Sequence, residues 1–190
     1  MKNELIIIIL AAGKGKRMES DIPKVLHELN NVSLIERVIN TSKKVNPEKI
    51  LVVVGHQREK VIKKLENYSN LEFVIQKEQK GTAHAVKMCL PNLKDFKGDV
   101  LILSGDVPLI SKQTLKDLIS IKNTKTAKAS LLTAIFEDPT GYGRVIRNSA
   151  NMLAKIVEHK DCDAKQLEVN EINAGIYVFD NKMLLSYISK

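Results

Sequence analysis

Gly13 and Gly15, with Lys14, Lys16, Arg17 and, a few positions on, Lys24, follow directly on the apolar run Leu5-Ile6-Ile7-Ile8-Ile9-Leu10. The grouping has the chemistry of a polyphosphate site. From Ala11 to Gly15 little or no side chain keeps a ligand away from the backbone, and glycine accepts positive φ. The loop N–H groups and the mobile ammonium and guanidinium groups then supply donors and positive charge together. Two familiar phosphate motifs do not fit: a P-loop needs four residues between its glycines, and the dinucleotide fingerprint needs glycine where Met18 stands. By residue type alone, a plain glycine turn between a strand and a helix remains an alternative. A secretory signal is not supported, because Glu4 sits in the wrong region and basic residues crowd the would-be cleavage site.

Two further stretches carry candidate chemistry. Val100-Leu101-Ile102-Leu103 reads as a buried strand that ends in Ser104-Gly105-Asp106-Val107-Pro108. A carboxylate at the carboxyl end of such a strand sits where doubly wound sheets bind ligands, and it is a hard oxygen ligand suited to Mg²⁺ beside phosphates. A turn-forming Asp is the plainer alternative. The segment Gln76-Lys77-Glu78-Gln79-Lys80-Gly81-Thr82-Ala83-His84-Ala85 presents side-chain amides and backbone N–H groups of the kind that read the edge of a base, or else is an ordinary capped surface loop. Thr82 is expected to cap a helix containing Ala83, Ala85, Val86, Cys89 and Leu90, which Pro91 ends. His84 reads as a packing or supporting group.

The elements that must position these residues alternate strand and helix. After the Gly13 loop, Ser33-Leu34-Ile35-Glu36 is a capping box, and Leu34, Ile35, Val38 and Ile39 line one face of a helix running to about Lys44. Lys49 to Val54 reads as a buried strand closed by Gly55, Glu59 to Leu65 as a helix, and Phe73 to Ile75 as a short third strand. Successive strand and helix units of this kind call for right-handed crossovers and a mostly parallel sheet. Ser111 caps a further helix with Leu115, Leu118 and Ile119 inward, and Ala129 to Phe136 returns as a strand. From Asp138-Pro139-Thr140-Gly141-Tyr142-Gly143-Arg144 onward the pattern changes to short strands separated by turns: Val145-Ile146, Met152 to Val157, Asn173 to Phe179. These read as antiparallel hairpins added to the parallel half. The expected fold is therefore α/β, a Rossmann-like, doubly wound and mostly parallel sheet with antiparallel hairpin additions in the second half.

A chain of 190 residues with a net charge of +8 is one domain by size and long enough to bury roughly 70% of its unfolded surface. No apolar run approaches membrane-spanning length, so no membrane partner is expected. The lysines are scattered over several helices with few aromatics between them, which argues against nucleic acid as a partner. Cys89 and Cys162 are too few for a disulfide framework, and a cytoplasmic, reducing setting is the simplest expectation. Oligomeric state, including a homo-oligomer, is left open.

Leu10-Ala11-Ala12-Gly13-Lys14-Gly15-x-Arg17-Met18 with Pro23-Lys24-Val25-Leu26 resembles the signature of sugar-phosphate nucleotidyltransferases, and within them the bacterial N-acetylglucosamine-1-phosphate uridylyltransferases. Lys16 departs from the Thr usual in that family. The resemblance runs from Leu5 to about Phe179 and implies the nucleotide-diphospho-sugar transferase type of fold. It also implies uridylyl transfer from UTP to N-acetylglucosamine 1-phosphate, giving UDP-N-acetylglucosamine and pyrophosphate, with Mg²⁺ as cofactor. The alternatives are another sugar-1-phosphate nucleotidyltransferase or a non-catalytic nucleotide-sugar binding module. By residue, the resemblance implies catalytic roles for Arg17, Lys24 and Asp106, with Asp106 also the metal ligand. Nucleotide contacts fall to Leu10, Ala11, Ala12, Gly13, Gln76, Gly81 and Thr82, and sugar contacts to Ser104, Gly105, Gly143, Glu158 and Asn173. Residues 1–190 are expected to be a single nucleotidyltransferase domain that stops short of the family's second metal ligand. No hexapeptide repeat of a left-handed β-helix acetyltransferase domain occurs in the chain. Apolar surface is accordingly expected near Ile176, Val178 and Leu184.

Overall fold

The computed structural model describes residues 4–15, 18, 20–124 and 127–188. Contacts group the chain into two compact units, one formed by residues up to Ser130 together with those from Tyr177 onward, the other by Leu131–Ile176.

The first unit is built around β1 (Leu5–Ala11). Ile6, Ile7, Ile8 and Ile9 are each at most 1% exposed, so both faces of this strand are covered, and each side chain contributes about 1.5–3 kcal/mol by leaving water. A short antiparallel pair, β2 (Glu28–Leu29) and β3 (Val32–Ser33), leads into helix α1 (Leu34–Lys43). The Ser33 capping box forms as the sequence predicts: Glu36 N donates to Ser33 Oγ at 3.4 Å and Ser33 N to Glu36 Oε2 at 3.0 Å. Strand β4 (Lys49–Val54), helix α2 (Arg58–Lys64) and strand β5 (Leu71–Ile75) follow. Helices α3 (Thr82–Met88) and α4 (Leu90–Leu93) then bring the chain back to β6 (Asp99–Ser104), and α5 (Lys112–Thr124) follows it.

The parallel order is β5-β4-β1-β6, with Ile8 paired to Leu51 on one side and Ile102 on the other. The chain thus winds outward from β1 to β5 and then returns to place β6 on β1's other flank. That reversal is the switch point of a doubly wound sheet, where a crevice opens at the carboxyl ends of the strands. One face buries Ile6 and Ile8 with Ala85, Val86, Cys89, Leu93 and Leu184 in a single apolar cluster. Strand alternation sends Ile7 and Ile9 to the other face, where α1 packs on β1 with Ile35, Val38 and Ile39 buried. Cys89 is core: burial pushes its thiol up to about 12. At the opposite end of β6, Lys122 donates to Asp99 in an ion pair whose side chains are 11% and 8% exposed.

Strand β7 (Ala129–Ile135) begins at the edge of the first unit. In the second unit, β8 (Arg144–Arg147) and β9 (Leu153–Val157) form the antiparallel hairpin expected from the turn-rich sequence, and a short helix, α6 (Ala164–Leu167), follows. Strand β10 (Glu171–Asp180) pairs Ile172 with Arg144 of β8, and its last residues, Tyr177 to Asp180, run antiparallel to β6 within the first unit. It extends past the predicted Asn173 to Phe179 at both ends, starting at Glu171 and stopping where Asp180 caps α7 (Asn181–Tyr187), accepting from Met183 N at 2.9 Å.

Three local expectations are corrected. Thr82 does not cap α3; it is the helix's first residue, and the preceding Gly81 takes the cap with φ +98 while its carbonyl accepts from Ala85 N. Pro91 does not end that helix but sits in the first turn of α4, where its missing N–H would have had no partner anyway. Ile176, Val178 and Leu184, near which apolar surface is expected, are themselves buried, at 2%, 0% and 5% exposed. Among the described residues no helix is long and apolar enough to cross a membrane.

Candidate active site

The carboxyl ends of β1 and β6 are tied to each other. Gly105 N donates to Leu10 O at 2.9 Å, and His56 N, just beyond β4, donates to Ala12 O at 3.3 Å. A Cβ on Gly105 would come within 3.1 Å of both Leu10 O and Val25 Cγ1, so the approach depends on glycine. Gly15 turns the loop back with φ +58, and a Cβ there would lie 2.9 Å from Lys24 Cβ. The loop is thereby held against the short 3₁₀ turn Lys24–Leu26, which the buried Val25 anchors.

These close approaches frame a cleft of about 290 Å³. Leu10, Ala11, Ala12 and Gly13 form one wall, Lys24, Ser104 and Asp106 a second, and Gln76, Gly81 and Thr82 a third. Ten of the residues singled out from the sequence thus converge on one cavity from four separate segments, and Gly105 adjoins Leu10, Ala11 and Val25 of its lining. Arg17 and Lys16 lie outside the described residues.

Electrostatics in the cleft centre on Asp106. Lys24 Nζ lies 2.6 Å from its Oδ2, and Ser104 Oγ donates to its Oδ1 at 2.6 Å. Burial would raise the carboxyl's pKa. The hydrogen bonds from Lys24 and Ser104, with the ammonium's charge, outweigh that and hold it below the usual carboxylate value. Asp106 is the acidic side chain among those lining the cleft, and the described residues contain no cluster of three or more His, Cys, Asp or Glu able to hold a metal. One carboxylate suits a hard cation that fills its other positions with water and phosphate oxygens, not a metal caged by protein.

Gln76, 3% exposed, follows β5; its Nε2 lies 3.3 Å from Gly81 O and 2.9 Å from His84 Nδ1. His84 therefore supports the amide, as its place in the sequence suggested. Gln79, not singled out from the sequence, also lines the cleft and donates through Nε2 to Gln76 O at 3.2 Å. Gly55 matters for a reason that only the fold reveals: a Cβ there would fall 2.8 Å from Gln79 Nε2 and 2.9 Å from both Ala12 Cβ and Gln76 O.

The remaining sugar candidates, Gly143, Glu158 and Asn173, lie in the second unit and are brought together there. Asn173 N donates to Gly143 O at 2.8 Å, and a Cβ on Gly143 would sit 3.5 Å from Glu158 Oε1. Asn173 Oδ1 accepts from Gly175 N at 3.0 Å. The sequence reading missed Arg144. It is 1% exposed and donates through Nη1 to the carbonyls of Pro139, at 2.6 Å, and Tyr142, which fixes the turn that carries Gly143.

Comparison with known proteins places this geometry. The bifunctional protein GlmU of Rippkaea orientalis is 47% identical to this chain over 184 residues, 97% of the chain and 41% of that protein. The bifunctional protein GlmU of a Picosynechococcus species is 49% identical over the same length and coverage. The chain thus spans about 41% of the length of the curated relatives it matches. Among solved structures, a candidate glucose-1-phosphate thymidylyltransferase from Bacillus anthracis, in complex with a sucrose, superposes with a TM-score of 0.80 at 21% identity over 98% of this chain and 75% of that one. HddC from Yersinia pseudotuberculosis gives 0.73 at 20% over 96% and 79%. At those identities the likeness is one of fold, and the fold is the α/β, mostly parallel type expected from the sequence. The model of the nucleotidyl transferase family matches residues 6–190, and the chain belongs to that family.

Proposed function

We propose that this protein transfers a uridylyl group from UTP to N-acetylglucosamine 1-phosphate, releasing pyrophosphate and forming UDP-N-acetylglucosamine for cell-wall precursors. Residues 1–190 act as one nucleotidyltransferase domain in this reading. The observation that carries it is the convergence of the Gly13 loop, the Lys24–Asp106 pair and the buried Gln76 amide on one cleft at the switch point of the sheet.

The reaction is attack of a sugar phosphate oxygen on the α-phosphorus of UTP, with the bond to the β-phosphate oxygen breaking and pyrophosphate leaving with its electrons. Negative charge gathers on the α-phosphoryl oxygens and on the leaving group. The cleft is suited to neutralise it: the backbone from Ala11 to Gly13 can approach the phosphates closely, and Lys24 brings a cation to the same wall. A divalent cation, Mg²⁺, would be held by Asp106 and would supply further positive charge between phosphate oxygens. No protein nucleophile is needed, and the Ser104 hydroxyl is engaged in holding the Asp106 carboxylate, to which it donates. Positioning and charge neutralisation are sufficient for chemistry of this class. Gln76, Gly81 and Thr82 take the base, and Ser104, Gly105, Gly143, Glu158 and Asn173 take the sugar.

Pyrophosphate release from UTP and N-acetylglucosamine 1-phosphate with Mg²⁺, alongside calorimetric binding of UDP-N-acetylglucosamine, tests this. Turnover only with a different sugar 1-phosphate or nucleotide would replace the substrate assignment. Binding without any turnover would leave a nucleotide-sugar binding module instead.

A further inference from the structure

Gln76 occupies a position from which one end of its amide is fully committed. Its Nε2 faces Gly81 O at 3.3 Å, and a backbone carbonyl can only accept. The atom turned toward it is therefore the NH₂; a flipped amide would oppose two oxygens in a place where Gln76 is 3% exposed. The same nitrogen lies 2.9 Å from His84 Nδ1. With one hydrogen given to Gly81, the second goes to His84, so Nδ1 must carry the lone pair and the imidazole proton must sit on Nε2. Both amide donors are then spent. Oε1 accepts no hydrogen bond among the described residues, and Gln76 lines the cleft.

An acceptor offered to a base selects for a donor on that base. Uracil carries a hydrogen on N3, whereas cytosine has a lone pair at the same ring position. We infer that His84 is a positioning residue that makes the cleft selective for a base bearing an N3–H: by accepting at Nδ1 it holds the Gln76 amide with Oε1 toward the ligand, so that uridine nucleotides are taken and cytidine nucleotides refused. The inference rests on the reading above in which Gln76 faces the base. It adds a reason for a particular histidine tautomer at residue 84. A site built to pair a specific hydrogen-bonding group rejects a mismatched analogue far more strongly than an apolar pocket rejects a change of size, because its buried polar groups are left unpaired.

The test compares UTP with CTP as competing ligands, by calorimetry and by kcat/KM, in the wild type, His84→Ala, His84→Asn and Gln76→Ala. The wild type should prefer UTP, and His84→Ala should reduce that preference about tenfold, mainly by improving CTP relative to UTP. His84→Asn, which keeps an acceptor, should restore much of it. Equal losses for both nucleotides in His84→Ala would reduce His84 to a packing group and overturn the inference. Independently of any variant, nitrogen NMR of the folded wild type should show His84 as the Nε2–H tautomer, and an Nδ1–H tautomer overturns the inference even where His84→Ala does not fold. The two levels separate cleanly. If Gln76→Ala abolishes the UTP preference while His84→Ala leaves it intact, the base site stands and the role of His84 falls. If Gln76→Ala changes neither nucleotide's binding, or the wild type does not discriminate, the base site itself is wrong and the inference falls with it.

Discussion

Lys24 Nζ lies 2.6 Å from Asp106 Oδ2, while the other carboxylate oxygen accepts from Ser104 Oγ. Both oxygens of the acidic side chain in the cleft are thus engaged by neighbouring side chains. A cation bound at Oδ2 must displace the ammonium, and the displaced ammonium is free to turn to a phosphate. In the proposed reaction Asp106 would exchange the ammonium for the cation, and Lys24 would turn to a phosphate.

Lys24→Ala should act in opposite directions on the two ligands. UTP binding should weaken by about 1.5–3 kcal/mol, the range for a hydrogen bond to a charged group. Mg²⁺ binding to the nucleotide-free protein should tighten, because Asp106 loses its internal counter-ion. Calorimetry with each ligand separately checks both. Unchanged UTP affinity would remove Lys24 from the phosphate site.

Acid should reveal the same pair. The folded-state pKa of Asp106 is depressed, first against burial, which raises it, and then by the hydrogen bonds and charge of Lys24 and Ser104, which win. A carboxyl depressed in the folded state contributes stability that is fully present above its unfolded value and is lost as pH falls through the folded one. The difference in melting temperature between the wild type and Asp106→Asn should therefore be constant at neutral pH and shrink below the ordinary carboxylate value of 3.8. A difference that grows on acidification would mean that the pair is not formed in solution.

How much of this was legible in the sequence depended on range. Unbroken apolar runs such as Ile6 to Ile9 announce strands buried on both faces, and the Ser33–Glu36 box announces a helix start, because each signal is complete within a few residues. Asp106 was found because a strand end is a defined place. Its bond to Lys24 was not, since nothing local sets that distance. Gly81 took the cap from Thr82 because its carbonyl was already needed by Ala85 N and by Gln76, a requirement no propensity expresses. Arg144 carries no signal of its own at the end of a turn-rich stretch, and only the folded turn aims the carbonyls of Pro139 and Tyr142 at it.

Gly55→Ala tests a residue whose importance lies wholly in packing. The added methyl meets Gln79 Nε2 at 2.8 Å, Ala12 Cβ at 2.9 Å and Gln76 O at 2.9 Å. Gln79 can swing away, but a strand-end loop and a backbone carbonyl cannot do so cheaply. Overpacking of this kind costs about 1–3 kcal/mol, which denaturant unfolding would read. The shift also moves two walls of the cleft, so nucleotide affinity should fall along with stability. A destabilised variant with unchanged UTP affinity would show that Ala12 and Gln76 do not position the ligand.

Within the second unit, Glu158 and Asn173 should read the sugar and not the nucleotide. Glu158→Ala and Asn173→Ala should each lower affinity for UDP-N-acetylglucosamine more than for UTP, because UTP lacks the sugar that these side chains would touch. The two variants differ in a useful way. Glu158 is exposed and its carboxylate lies near Gly143, so its removal takes away a sugar partner and little else. Asn173 Oδ1 also accepts from Gly175 N, and Gly175 holds φ +71, so Asn173→Ala additionally loosens a turn within β10. Glu158→Ala should therefore keep the wild-type melting temperature while losing about 1.5–3 kcal/mol toward the sugar nucleotide, the range for hydrogen bonds to a charged group, and Asn173→Ala should lose some of both. Calorimetry with the two ligands and a thermal melt separate these outcomes. Equal losses on UTP and UDP-N-acetylglucosamine in Glu158→Ala would exclude it from the sugar pocket, since a residue that touches only the sugar has no means of weakening UTP.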